Sequence, residues 1–565
     1  MKNSTRLLYL LVFVLAIAVT LAGINVNFFT DDPALYASIA KNMLYKQDVI
    51  QLFTYNQDWL DKPHFPFWMA FLSFKLFGVS VWAYRLPALF FFLLGALYTF
   101  LFARKYYDVK IAATAVLILM TAQYALMGNV DVRAEPYLLA LIIGSIYHIS
   151  NLQERFKVTD LLLAALLTAC AIMTKGIFVI VAIYGSLLGQ LIFKRKLNQL
   201  FSLKFIALYL LTLILVLPEL YALYIQFDMH PEKLVFGRHH VSGIKWFLWD
   251  SQFGRFANSG PISQKSSGDV FFYVHTLLWA FAPWCLLFYF ALYKRVRGII
   301  KKQEQAEYYS LSGGILLLLL FSLSRFQLPF YTNAVFPLFA IILAPYCTMH
   351  LSTSETKIRA ISQWLYILVF PVIILIVNYF LMPDRVILFY ADVIALLVLI
   401  LLIIIKSRMP QKVFLLNCCV VLFVNFYLNT ILYKEVAGYN GQITAAQYAN
   451  RADFAGFKIY SLKTQNNNFQ FYCNKPVDYI PLEQFKSFAA PPNAVFYANQ
   501  ASLDYLTQTS AQFIIIKSFT NYPQERILPD FINKINRYKV LDKVYLIKKV
   551  EMQHFASLQN VIFRP

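Results

Sequence analysis

The chain has 565 residues, of which 59% are hydrophobic and only 14% charged, with a formal net charge of +21. A soluble domain carries about 25% charged residues, so this composition excludes an ordinary soluble protein. The positive balance does not point to nucleic acid. No basic domain stands apart from the apolar runs, and basic residues are expected in the cytoplasmic loops of membrane proteins.

Apolar runs of roughly 17–25 residues recur almost to residue 433, each long enough to cross ~30 Å of hydrocarbon. The first, MKNSTRLLYLLVFVLAIAVTLAG, has a basic tip and is read as an uncleaved first helix rather than a removed signal. Spans are expected at roughly 6–28, 82–103, 112–128, 134–150, 159–174, 176–193, 204–225, 270–292, 309–324, 328–349, 361–381, 386–405 and 412–433. The chain therefore reads as a polytopic α-helical membrane protein of about 13 transmembrane helices.

Loop charge then sets the orientation. Lys2 and Arg6 precede the first span, and alternate loops repeat that basic character: Arg104, Lys105 and Lys110; Lys194 to Lys204; Lys294 to Lys302; Lys406, Arg408 and Lys412. With these loops cytoplasmic, the acidic stretch 28–68, the turn GNVDVRAEP and the loop 226–269 lie outside. The odd number of spans places the C-terminal tail outside too. The expected division is a membrane domain over 1–433, with long outside loops at 29–81 and 226–269, and an extracytoplasmic α/β domain over 434–565. In that tail Lys458–Leu462, Ala494–Tyr497, Phe513–Lys517 and Val544–Lys548 read as strands and 523–536 as a helical segment. Its one cysteine, Cys473, rules out an internal disulfide there.

Ionisable residues beside a bilayer are costly unless they face water, a partner or a substrate. Asp31 and Asp32 follow the first span directly, and paired carboxylates shift each other's proton affinity in the way a general base needs. Asp32 followed by Pro33 also reads as a helix N-cap with proline at the first helical position. Leu35, Tyr36, Ile39, Met43 and Leu44 then mark one face of a helix lying on the membrane surface. WLDKPHFPFWMAFLSFKLFG, at 59–78, reads as a second such element, broken by Pro63 and Pro66. It sets Asp61 and Lys62 between aromatic residues, where Lys62 could hold an anionic leaving group such as phosphate.

Asp131, Arg133 and Glu135 share a short outside turn, and Lys175-Gly176 forms another. Arg255 and Arg325 belong to the same face, as do the histidines of the loop 226–269, His239 and His240 among them. Histidines near acids can bind zinc, although no HExxH spacing occurs. Nucleotide-activated donors do not normally reach that face. A transferase there needs a donor already activated and carried by lipid, with phosphate leaving against basic residues and a carboxylate orienting the acceptor. The competing class, a transporter of lipid-linked sugars, should show repeated halves and charges at mid-membrane depth. No internal repeat is evident.

Several motifs in order carry a family resemblance. The acidic pair Asp31-Asp32, ALYASIAKNML, DKPHFPFW, the phrase from Phe77-Gly78 to Arg85-Leu86-Pro87, Lys175-Gly176, HPEKLVFGRHH and SRFQLPFYTNAVFPLFA together resemble the GT-C-fold glycosyltransferases. Within these they are similar to bacterial aminoarabinose transferases and protein O-mannosyltransferases. The chain departs from the family pattern in DD for DE and in KPH for KPP. The resemblance covers most of residues 1–350. It implies a GT-C fold and transfer of a sugar from a polyprenyl-phosphate carrier to a lipid, of lipid A type or other, or to a protein. The site would lie on the outer face of the cell's inner membrane. It further implies a catalytic carboxylate among Asp31, Asp32 and Asp131 and donor-phosphate contacts at Lys62 and Lys175. Arg85, Arg133, Glu135, Arg255 and Arg325 complete the expected binding set. A divalent metal such as zinc would sit on Asp61 with His239 or His240.

Overall fold

The computed structural model describes residues 3–264, 268–463, 466–523 and 526–550. It divides into two compact units, one made of residues 1–25, 60–376 and 385–431, the other of 26–59, 377–384 and the chain from 432 onward. In the tail the second unit resumes at Leu432, beside the expected division at 433/434. The first outside loop is divided instead, its segment 26–59 clustering with the C-terminal sheet and its remainder with the helices.

In the first unit every expected apolar run is helical, and the ends follow local chemistry. Helix Val81–Tyr106 starts at Ser80, whose hydroxyl accepts from Ala83 N, and Val109–Met120 starts at Asp108, which accepts from Ile111 N at 2.8 Å. The first helix ends at Ala22 rather than near 28. The expected spans 112–128, 270–292 and 328–349 are each built from two consecutive helical pieces: Val109–Met120 with Gln123–Met127, Phe272–Ala280 with Cys285–Ile300, and Pro329–Val335 with Phe336–Thr348. Pro66 does not break the element at 59–78; it lies in the first turn of helix Phe65–Phe77, where a missing N–H costs nothing.

Among the described residues, eight helices are long and apolar enough to cross a membrane, and four shorter apolar helices of 10–17 residues accompany them. Close packing between helices relies on small residues. A Cβ at Gly95 would sit 3.2 Å from the backbone nitrogen of Ala140, so Val81–Tyr106 and Glu135–Glu154 touch nearly backbone to backbone. At the basic end of the helices, Arg295 and Glu307 form a buried pair at 2.9 Å, and Glu307 also accepts from Tyr107 and Ser310.

The second unit is α/β. After a short hairpin, β1 (Phe53–Thr54) with β2 (Gln57–Asp58), five strands form a mixed sheet. They are β3 (Lys458–Ser461), β4 (Val477–Tyr479), β5 (Ala494–Asn499), β6 (Phe513–Asn521) and β7 (Asp542–Lys549), in the order β4-β3-β5-β7-β6. β3 runs parallel to β4 and β5, while β7 is antiparallel to both β5 and β6, with Phe496 opposite Ile547. Alternation along the strands buries both faces. Ile459, Val495, Tyr497 and Leu546 pack with Phe469, Ala446 and Tyr55, whereas Tyr460, Phe496 and Ile547 pack with Phe485 and Leu506. The short β4 escaped the sequence reading. Of the helical segment expected at 523–536, only Pro529–Ile532 is helical among the described residues, and 524–525 lie outside them, as do 551–565.

Helix Asp31–Lys46 belongs to this unit. Its cap position falls on Thr30, two residues earlier than expected, so Asp32 is not the cap. Both acids lie in the first turn, where a helix's partial positive charge favours them. Tyr36, Ile39 and Met43, expected to face a bilayer, are buried, and the helix packs on Asn467–Tyr472.

Candidate functional site

In the helical unit, cations from four separated segments gather at the ends of the helices opposite the Arg295–Glu307 pair. Lys62 comes from the loop before helix Phe65–Phe77, Arg133 from the turn before Glu135–Glu154, Lys175 from the last position of Val158–Lys175, and Arg255 from Ser251–Ala257. The Asp61 carboxylate bridges Lys62 and Arg255, one oxygen to each. Glu135 pairs with Lys175, and Asp131 accepts from Arg133 Nε at 3.2 Å. Lys175 lies within electrostatic range of Lys62, Arg133 and Arg255. Asp61, Glu135 and Asp131 thus each pair with one or two of these four cations, and a further carboxylate, Glu219, lines the same cleft.

Local backbone explains each placement. Gly176 ends its helix at φ +98, a conformation L side chains rarely adopt, and a Cβ there would lie 2.1 Å from Gln252 Nε2. Glycine after Lys175 thus lets the segment 251–257 come in beside the lysine. Pro63 and His64 turn the chain after Lys62. His64 donates from its backbone N to Glu219 at 3.0 Å, and its ring Nδ1 meets the other carboxylate oxygen at 2.9 Å, with both side chains fully buried. The segment 326–331 supplies aromatic faces: Arg133 lies 4.3 Å from the Phe330 ring centre and Lys175 4.0 Å from that of Tyr331.

The electrostatics follow from burial. Burial alone would raise the Asp61 carboxyl, but Lys62 and Arg255 outweigh it and hold it below the usual carboxylate range. Burial pushes Lys62 down to about 8, helped by Arg255 and opposed by Asp61. Lys62, Lys175, Glu219, Trp246, Gln252 and Arg255 help line a narrow cleft with ≈ 10 Å³ of water-sized space, about one molecule. A phosphate entering there would take the place that Asp61 holds between Lys62 and Arg255.

Other expected residues fall elsewhere. Arg85 is not presented to a ligand. Its guanidinium is buried and donates to the carbonyls of Val130 (2.9 Å), Gly23 (3.2 Å) and Ile24 (3.1 Å), stapling the loop after the first helix. Arg325 gives its backbone N–H to Phe256 O at 2.9 Å while its side chain is exposed. The metal set does not assemble. His239 Nδ1 meets Glu232 O at 2.8 Å, and both His239 and His240 are exposed. Among the described residues, no three His, Cys, Asp or Glu side chains gather as a metal would need. Asp61, held between two cations, is a poor cation ligand, so the residues do not fit a metal.

Asp31 and Asp32 lie in the α/β unit. Asp31 accepts from Asn467 through both the backbone N, at 3.3 Å, and the side-chain Nδ2. Sequence reasoning missed Glu219, Gln252 and Asn467. A glutamate after Pro218 in an apolar run was the available signal for the first; nothing local marks the others.

Comparison with known proteins is consistent with this geometry. A model of the dolichyl-phosphate-mannose-protein mannosyltransferase family matches residues 61–221. The undecaprenyl phosphate-alpha-4-amino-4-deoxy-L-arabinose arabinosyl transferase of Edwardsiella ictaluri is 26% identical over 323 residues, covering 56% of this chain and 54% of the relative. That of Serratia proteamaculans is 22% identical over 374 residues, covering 65% and 64%. The match thus spans just over half to just under two thirds of these relatives' length. In structure, ArnT from Cupriavidus metallidurans bound to undecaprenyl phosphate superposes with a TM-score of 0.72 at 16% identity, covering 95% of this chain and 97% of that one. The chain is a polytopic membrane protein with the GT-C fold, ArnT-like in architecture and similar in sequence to the aminoarabinosyl and protein mannosyl transferases.

Proposed function

We propose that the protein is a membrane glycosyltransferase that moves a sugar from a polyprenyl-phosphate carrier to a lipid or protein acceptor on the outer face of the inner membrane. The observation that carries this reading is the cluster of Lys62, Arg255, Lys175 and Arg133 around a carboxylate-filled cleft. Its curated relatives are named for undecaprenyl-phosphate donors, and the ArnT structure holds undecaprenyl phosphate. In the reaction, the acceptor's nucleophilic oxygen attacks the anomeric carbon and the bond from that carbon to the phosphate oxygen breaks. The leaving phosphate keeps the electron pair, its charge met by Lys62 and Arg255. The acceptor's proton passes to a carboxylate, for which the resemblance nominates Asp31, with Asp131 as the alternative. Loop charge supports thirteen crossings, a cytoplasmic N-terminus and an extracytoplasmic α/β unit.

The test is turnover by the purified full chain, with undecaprenyl phosphate-α-4-amino-4-deoxy-L-arabinose as donor and lipid A or an envelope lipid extract as acceptor. Acceptor-dependent release of undecaprenyl phosphate is the expected result. Intact donor under all acceptors, with the protein folded and binding undecaprenyl phosphate, would point to a carrier rather than a transferase.

The same assay has an expected pH dependence. Lys62 must be protonated to hold phosphate, and its proton is lost as pH rises through about 8. The kcat/KM for donor should therefore fall on the alkaline side of about 8, since that parameter reports the free enzyme. Bound phosphate favours the ammonium form, so the alkaline limb of kcat should lie at higher pH. A kcat/KM flat from pH 7 to 10 would remove Lys62 from donor binding.

A further inference from the structure

Within the α/β unit, the short helix Asn467–Tyr472 is bonded along the length of helix Asp31–Lys46. Lys41, buried, gives its ammonium hydrogens to the carbonyls of Gln470 (3.0 Å), Phe471 (2.9 Å) and Cys473 (2.5 Å), which uses all three of its donors. Ser38 donates to Asn467 O at 3.3 Å, and Asn468 Nδ2 to Thr30 O at 3.4 Å. Tyr472 takes the amide hydrogen of Phe28 at 3.0 Å and donates to Asn27 Oδ1 at 3.1 Å. The two helices are thus fixed in register from Asn27 to Lys41.

At the head of this assembly the two donors of Asn467 go to different oxygens of Asp31, the backbone N to Oδ1 and the side-chain Nδ2 to Oδ2. One donor on each oxygen fixes the plane of a carboxylate, where a single bond would leave it free to turn. The amide does this at a cost, because Asn467 is 4% exposed and its Oδ1 has no hydrogen-bond partner among the described residues. A side chain serving only to fill this position would not need a buried amide with one end unmatched.

We infer that Asn467 is a positioning residue for the reaction, holding the Asp31 carboxylate in the plane from which it receives the acceptor's proton. The inference rests on the reading of the protein as a transferase in which Asp31 is the base. Asn467 lies more than four hundred positions along the chain from the carboxylate it orients.

The experiment uses the purified full chain and two variants. Asn467→Ala removes the side-chain donor and the unmatched oxygen while leaving the backbone bond. Asn467→Asp keeps the shape but sets an acceptor against the carboxylate. With undecaprenyl phosphate-α-4-amino-4-deoxy-L-arabinose as donor, Asn467→Ala should lower kcat by about 10- to 100-fold with KM for donor within about twofold. Its thermal midpoint should stay at or above that of the parent, and Asn467→Asp should be slower still. A fall in thermal midpoint with kcat unchanged would make Asn467 a structural contact only and overturn the inference. A second readout does not depend on turnover: labelling of Asp31 by a carbodiimide, followed by peptide mass spectrometry. Faster labelling of Asp31 in Asn467→Ala than in the parent is expected, and an unchanged rate would overturn the inference even if the parent turned over no donor. Failure of the transferase reading shows in the parent protein alone, as donor left intact.

Discussion

Replacing Lys62 by alanine is expected to cut turnover roughly 10²–10³-fold while leaving the thermal midpoint close to that of the parent. Lys62 is partly open to the cleft, and its one ion pair is with its neighbour Asp61, so little of the fold depends on it. What it supplies is positive charge where the departing phosphate gathers negative charge, in a setting where burial has already stripped it of much of its water. Its loss also leaves Asp61 with Arg255 alone, so the cleft becomes less attractive to any anion. Both kcat and affinity for undecaprenyl phosphate should fall, measured by steady-state kinetics and by product inhibition. Unchanged kinetics in a folded Lys62→Ala protein would move the donor site away from this cleft.

Arg85→Ala should do the reverse, costing on the order of 3–5 kcal/mol of stability without a specific effect on chemistry in whatever folded protein survives. The guanidinium satisfies three backbone carbonyls, at Gly23, Ile24 and Val130, and its removal strands them in a buried place. Lysine is a poor replacement, because its donors share one nitrogen, whereas Arg85 reaches Val130 from Nε and Gly23 and Ile24 from Nη1 of a planar fork. Arg85→Lys should therefore recover little. A thermal scan at fixed rate in detergent, set beside Lys62→Ala, checks both variants. A normal midpoint with lost donor binding would return Arg85 to the binding set.

The contrast between these two residues shows what was legible in the sequence. Both sit in motifs that resemble the same family, and motif membership could not separate a ligand contact from a staple. The apolar runs, their helix type and most of the strands were readable because period and length are local properties. Lys62, Lys175 and Arg255 could be placed on one face from loop charge alone. Their pairing could not, since Asp61 and Arg255 are 194 positions apart and meet only because Gly176 lets the segment 251–257 approach. The surroundings of Asp61, His239 and His240, proposed to hold a metal, were out of reach for the same reason. Residue type suggested ligands, whereas the fold gave Asp61 two cations and left both histidines exposed. Asp32 was read as a cap because Pro33 follows it, yet the helix begins two residues before that proline, which is accommodated within the first turn.

The bond between His64 and Glu219 bears on how this protein can change over evolutionary time. The resembled motif has a second proline where this chain has His64, and proline lacks the backbone hydrogen that His64 gives to Glu219. His64→Pro alone would remove two contacts from a carboxylate that has no access to solvent, and Glu219→Ala alone would remove the carboxylate that a sealed imidazole faces. Either single step is therefore expected to lower stability, which couples positions 64 and 219 across 155 residues. A chimaera that imports the segment 59–78 from a relative must import the residue at 219 with it.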